Sequence, residues 1–122
     1  MTEDPAARGF GHGKLILVGE HAVVHGHPAL AAGISTGIAV VARRGVGRLR
    51  VPAWQMEAAV DDGTPVGRAL GAIVRRLDAP GLDFDADAGI PSRAGLGSSA
   101  ALAVAVARAA LVARGRVATD DL

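Results

Sequence analysis

Apolar positions along the chain gather first into short runs and finally into one long helical stretch. Lys14 to Gly19 (KLILVG) is a compact apolar run with β-branched members, which predicts a buried strand. The polar, glycine-bearing residues 1–12 before it predict a flexible leader. Glu20 to Pro28 (EHAVVHGHP) is polar at both ends and predicts a connection. Ala29 to Ile34 and Ile38 to Arg43 predict two further strands, with Ser35-Thr36-Gly37 as the turn between them. Gly45 and Gly47 mark the next turn, and Arg48 to Val51 alternates as a short fourth strand. Thr64 and Pro65 predict a helix start, as N-cap and first helical residue. Val66, Leu70, Ile73, Val74 and Leu77 recur at helical spacing until Pro80-Gly81 ends the pattern. Leu82 to Ala88 alternates strictly and predicts a strand. A loop from Gly89 to Gly97 follows. Ser98 or Ser99 then caps a second helix reaching about Arg114.

Strands followed by helix, strand and helix predict an α+β fold with a mainly antiparallel sheet. No repeat or linker divides the chain, so residues 1–122 are expected to form one domain. The last helix is apolar nearly all round, at Ala101, Leu102, Val104, Val106, Leu111 and Val112. Such a helix needs partners on every side, and one other helix with a small sheet hardly supplies them. The expectation is a truncated domain whose partner is a carboxy-terminal segment or a second copy.

Composition narrows the function classes. Half of the 122 residues are apolar, yet aromatics are two Phe and one Trp, so the core is aliphatic. The formal net charge of +1 gives no field that gathers nucleic acid or anionic lipid. With so few rings there is also little to stack bases on. No nucleic-acid or membrane partner is expected. The acidic, polar start is unlike a signal peptide. The stretch Ala100 to Ala113 is too short for a bilayer and is broken by Arg108. Without cysteine there is neither a disulfide nor a thiolate metal site, which fits a cytoplasmic setting. Of thirteen Lys and Arg residues only Lys14 is a lysine. A compact ammonium suits a phosphate oxygen as a point charge; the plain alternative is a chance surface lysine.

The segment PSRAGLGSSAA carries the most chemistry. A helix start leaves four N–H groups unpaired and bears partial positive charge. Glycines ahead of it let the backbone approach a ligand, and serines add hydroxyls for phosphate or Mg²⁺. Together they predict an anion cradle; the alternative is a small-residue helix start that binds nothing. A P-loop is excluded because no Gly-Lys-Ser/Thr occurs here. GLGSSA satisfies G-x-G-x-x-A, but Ile90-Pro91-Ser92-Arg93-Ala94 intervene after the preceding strand and no acid is placed for a ribose, which argues against a dinucleotide site.

All four histidines lie between Gly11 and Pro28. His21 and His25 are four apart, but Gly26 and Pro28 oppose a helix and Glu20 precedes His21, against a zinc-protease motif. His12, His25 and His27 are expected to be exposed loop residues, and His21 beside Glu20 is the pocket candidate. Asp83, Asp85 and Asp87 share one strand face; a solvated face is the expected reading, a cation site the alternative.

Taken together, GKLILVGEHAVVHGHPALAAGI resembles the first motif of mevalonate kinases. IPSRAGLGSSAALAVAVARAA resembles the second motif of the wider GHMP family of small-molecule kinases, which includes galactokinase, homoserine kinase and phosphomevalonate kinase. Galactokinases carry an acid and an aromatic after Gly-Glu-His, where this chain has Ala22-Val23-Val24. Phosphomevalonate kinases tend to carry Tyr at the position of His21. The resemblance implies a fold like the second domain of ribosomal protein S5. It implies Lys14, Glu20 and His21 near the substrate, with Lys14 on the transferred phosphate or attacking oxygen. It implies ATP held by Ala94, Gly95, Leu96, Gly97, Ser98, Ser99 and Ala100, and Mg²⁺ on Ser99. The implied reaction is ATP-dependent phosphorylation of mevalonate in isoprenoid biosynthesis. A sibling kinase for another small alcohol, or a non-catalytic nucleotide-binding remnant, are the alternatives. No residue matches the family's catalytic Asp, acidic Mg²⁺ ligand or third glycine-rich motif, so this chain alone is expected not to turn over mevalonate.

Overall fold

The computed structural model describes residues 7–18, 30–92 and 97–115. Its strands are β1 (Ala7–Val18), β2 (Leu30–Arg44), β3 (Arg48–Val51), β4 (Met56–Ala59) and β5 (Leu82–Ala88). A 3₁₀ turn, Pro52–Trp54, links β3 to β4, and the helices are α1 (Pro65–Arg76) and α2 (Ser98–Ala113). The fold is α+β. One five-stranded sheet runs β1-β2-β5-β3-β4. Every neighbouring pair is antiparallel except β3 and β5. A parallel pair needs a crossover of a dozen or more residues, and α1 lies within this one.

Three sequence expectations change. The leader is shorter than expected, because Ala7 to His12 already pair with Ala42 to Gly37. These glycines look unsuited to a strand, but α2 lies directly on them. A Cβ on Gly9 would strike the backbone of Ala105 and Ala109, and one on Gly11 the backbone of Ala101. Second, Ser35-Thr36-Gly37 does not reverse the chain. β2 runs through it, and the two steps from His12 to Lys14 lie opposite the four from Gly37 to Gly33. The turn-forming residues are absorbed as a bulge. Third, neither serine caps α2. Gly97 is the N-cap at φ 71°, and Ser98 and Ser99 already lie inside the helix. β4 had no sequence signal, since MEAA does not alternate between apolar and polar residues.

The start of α1 is as expected: Thr64 Oγ1 accepts from the Gly67 N–H at 3.0 Å. The core lies between the sheet and the two helices. Ile38, Val40, Leu49, Val51, Phe84 and Ala86 meet Leu70 and Val74 of α1 and Ala101, Ala105, Val106 and Ala109 of α2. Ala101, Ala105 and Ala109 of α2 face β1, which permits the close approach to Gly9 and Gly11. Its other face leaves Val104 and Val112 exposed, at 38% and 44%.

Candidate functional site

Strand directions decide what comes together. β1 and β5 are each antiparallel to β2, and β3 is parallel to β5. So β1, β3 and β5 all point to one end of the sheet. Their carboxyl ends collect there the later half of β1 with Lys14, the turn Pro52–Trp54, and the connection from β5 to α2. Because α2 follows β5 and returns over β1, its amino terminus lies at this end too.

The glycines of β1 refine that placement. Gly11 lies under Ala101 and Gly9 under Ala105 and Ala109, so two strand residues match about four helical ones. The rises agree, at about 6.7 Å for two strand residues and about 6 Å for four helical ones. Lys14 follows Gly11 by three residues along β1, toward the end of the sheet where α2 begins. Lys14 pairs with Gly33 just past the β-bulge.

The start of α2 has no side-chain cap. Ala101 N–H donates to the Gly97 carbonyl at 2.9 Å and begins the helical ladder. The N-cap is a glycine with no side-chain acceptor, so the first-turn N–H groups of Ser98, Ser99 and Ala100 receive no cap from it. Ser98 is buried, and its Oγ donates to the Ser92 carbonyl at 2.7 Å. That hydroxyl closes the connection on itself. Ser99 and Ala100 are exposed. Of the two serines, Ser99 is the one free to meet a ligand.

Beyond Ser99 lies an apolar groove of about 290 Å³ between α1 and α2. Trp54, Met56, Val66, Ile73, Leu102 and Ala103 line it. The parallel register pairs Leu49 with Phe84 and Arg50 with Asp85, so the turn after β3 and the connection after β5 leave the sheet at the same end. The Trp54 indole N–H donates to the Ile90 carbonyl at 3.0 Å. Trp54 carried no sequence signal, because a lone aromatic after Pro52-Ala53 has no periodic context.

Other candidates divide. Glu20, His21, His25, His27, Ala94, Gly95 and Leu96 lie outside the described residues. His12 is exposed as expected but sits in β1 rather than a loop, edge-on to Phe10 with centroids 4.8 Å apart. Asp83 does not share the role of its strand-mates. Its Oδ1 accepts from the N–H groups of Val46, Gly47 and Arg48 at 2.8, 3.0 and 3.0 Å. Those bonds, that from Arg48 foremost, hold its carboxyl below the ordinary range, against a desolvation that raises it. Asp85 and Asp87 are exposed, and no group of three His, Cys, Asp or Glu among the described residues could hold a metal.

Residues 64–122 match the sequence profile of the GHMP kinases N terminal domain. Solved structures extend the likeness to nearly the whole chain. The Methanococcus jannaschii mevalonate kinase superimposes with a TM-score of 0.76 at 22% identity, over 98% of this chain and 44% of that one. The mevalonate kinase of methicillin-resistant Staphylococcus aureus MRSA252 does so with 0.65 at 31% identity, over 98% and 42%. Lactococcus lactis galactokinase complexed with galactose gives 0.63 at 21% identity, over 83% and 31%. This chain thus spans about two-fifths of the length of the mevalonate kinases. No curated protein matches it.

Proposed function

For a chain with the fold of the GHMP kinase amino-terminal domain, and that family's sequence signature over residues 64–122, we propose a role as the nucleotide-phosphate half of a small-molecule kinase. The observation that carries this reading is the convergence of three strand ends on an uncapped helix start. Backbone N–H groups of Ser98, Ser99 and Ala100 hold phosphate oxygens. The family resemblance assigns Ala94, Gly95, Leu96 and Gly97 to the same cradle. The groove past Ser99 takes the nucleoside base, since its walls are apolar and one is an indole.

The reaction is phosphoryl transfer from ATP to a hydroxyl of a small acceptor. Lys14 places a positive charge on the transferred phosphate or the attacking oxygen, where charge develops in the transition state. Glu20 and His21, as the first motif implies, orient the acceptor. The residues fit Mg²⁺ bound mainly through nucleotide phosphates and water, with the exposed Ser99 hydroxyl as the protein ligand. When bound, that ion neutralises charge on the β- and γ-phosphates.

Mevalonate is the proposed acceptor. The first motif, with His21 and Ala22-Val23-Val24, supports it over the galactose-type pattern, and mevalonate kinases recur among the structural neighbours. The test is calorimetric titration with Mg·ATP, then assay of ATP turnover with mevalonate, galactose or no acceptor. Phosphomevalonate formation identifies the acceptor. Binding without turnover on either alcohol leaves a nucleotide-binding chain without kinase activity. Absence of binding at millimolar nucleotide removes the proposed role.

A further inference from the structure

The connection between β5 and α2 must hold a definite path if the amides of Ser98 to Ala100 are to meet a phosphate together. Among the described residues, three hydrogen bonds anchor its flanks. Gly89 N–H donates to the Gly37 carbonyl at 2.8 Å, Ser98 Oγ to the Ser92 carbonyl at 2.7 Å, and the Trp54 indole to the Ile90 carbonyl at 3.0 Å. The first ties the connection to β2, the second to the start of α2, and the third to the turn Pro52–Trp54. Ile90 is 3% exposed, so few other donors reach its carbonyl. Trp54 also lines the groove that continues from Ser99.

We infer that Trp54 is a positioning residue, whose indole N–H fixes the connection ahead of α2 and so holds the first-turn amides in place for a phosphate. The inference rests on the proposed phosphate site for its function, but the anchoring can be read without any ligand. Geometry supports this over simple filling of space. The ring is only half-buried, yet its one polar atom is spent on a backbone carbonyl 36 residues away in sequence. The bond exists because β3 and β5 are parallel, which brings the ends of two non-consecutive strands side by side. Losing the donor leaves a buried carbonyl unsatisfied, a cost borne locally by the segment that carries it.

The chain holds a single tryptophan, so global replacement by benzothienylalanine removes the N–H while keeping the ring's shape. Trp54→Phe serves as a second variant, with circular dichroism as the control for folding. Amide hydrogen exchange is measured across the described residues. The expected result is exchange about tenfold faster at Gly89 and Ala101, whose N–H groups are hydrogen-bonded, with Ala105–Leu111 unchanged. Affinity for inorganic tripolyphosphate with Mg²⁺ is expected to fall about tenfold in parallel. Unchanged exchange near the start of α2 overturns the inference, as does a uniform rise along α2, which marks a generally structural ring. If the local rise appears but the unaltered chain binds no tripolyphosphate, the anchoring stands and the phosphate-site reading falls.

Discussion

Asp83 shows how a residue read as one of three equivalent acids acquires its own role. The strand's period puts Asp83, Asp85 and Asp87 on one face, but only Asp83 lies opposite the β2–β3 turn, where three N–H groups converge on one oxygen. Its pKa is lowered, so the stability it adds is full above the ordinary value of 3.8 and is lost as pH falls below that toward the folded-state value. Asp83→Asn is expected to cost about 1–2 kcal/mol at neutral pH, with the gap to the unaltered chain closing under acid. Urea unfolding at pH 7 and near pH 3 checks this; a gap that does not narrow contradicts the sign. Two further substitutions bear on the proposed chemistry. Ser99→Ala is expected to weaken Mg·nucleotide binding by about 1–2 kcal/mol while leaving the fold intact, since the Ser99 side chain is exposed. Lys14→Met is expected to lower kcat/KM by on the order of 10²-fold in any kinase assay in which the unaltered protein is active. An unmoved rate constant would make Lys14 a surface residue.

At the scale of elements, the pairing of β1 with α2 is the tightest feature of the fold. Gly9 and Gly11 let a helix with an alanine face lie on the strand with almost no side chain between. Gly11→Ala is therefore expected to destabilise by about 1–3 kcal/mol or more, because the added methyl meets backbone rather than a movable side chain. Thermal unfolding followed by circular dichroism reads the loss. A change within about 0.5 kcal/mol would mean that α2 can lift from the sheet. The bulge in β2 works the other way: Ser35-Thr36-Gly37 has turn chemistry, but long pairing on both sides outweighs the local preference.

For the molecule as a whole, the proposed site lies at one end, where carboxyl ends of strands meet a helix start. Open sheets commonly place ligands outside the carboxyl ends of their strands, because that is where loops and helix dipoles converge. A ligand that binds only the folded chain raises its stability by about 2.7 kcal/mol at a hundredfold excess over Kd. Mg·ADP is thus expected to raise the Tm by several degrees, and Ser99→Ala to reduce the rise at fixed ligand. Differential scanning at millimolar nucleotide tests both; no shift in the unaltered chain would show that these residues hold no nucleotide.

The α+β class, the cap of α1 and the strictly alternating β5 were legible in the sequence, because each is set by local propensity, periodicity or the special geometry of proline. The motif around Lys14, Glu20 and His21 was legible as a resemblance, and of its site residues the fold describes the backbone of Lys14 alone. What the chain could not announce locally depends on what lies across from each residue. Glycines that read as a leader form a strand because a helix 90 residues later needs the space. A turn became a bulge because its flanks pair. Gly97 took the cap from two serines because a left-handed residue had to end the loop. Trp54 met Ile90 because two strands distant in sequence run parallel. Periodicity reports which side of an element is apolar; only the tertiary structure decides which element it faces, and so which polar groups share an end.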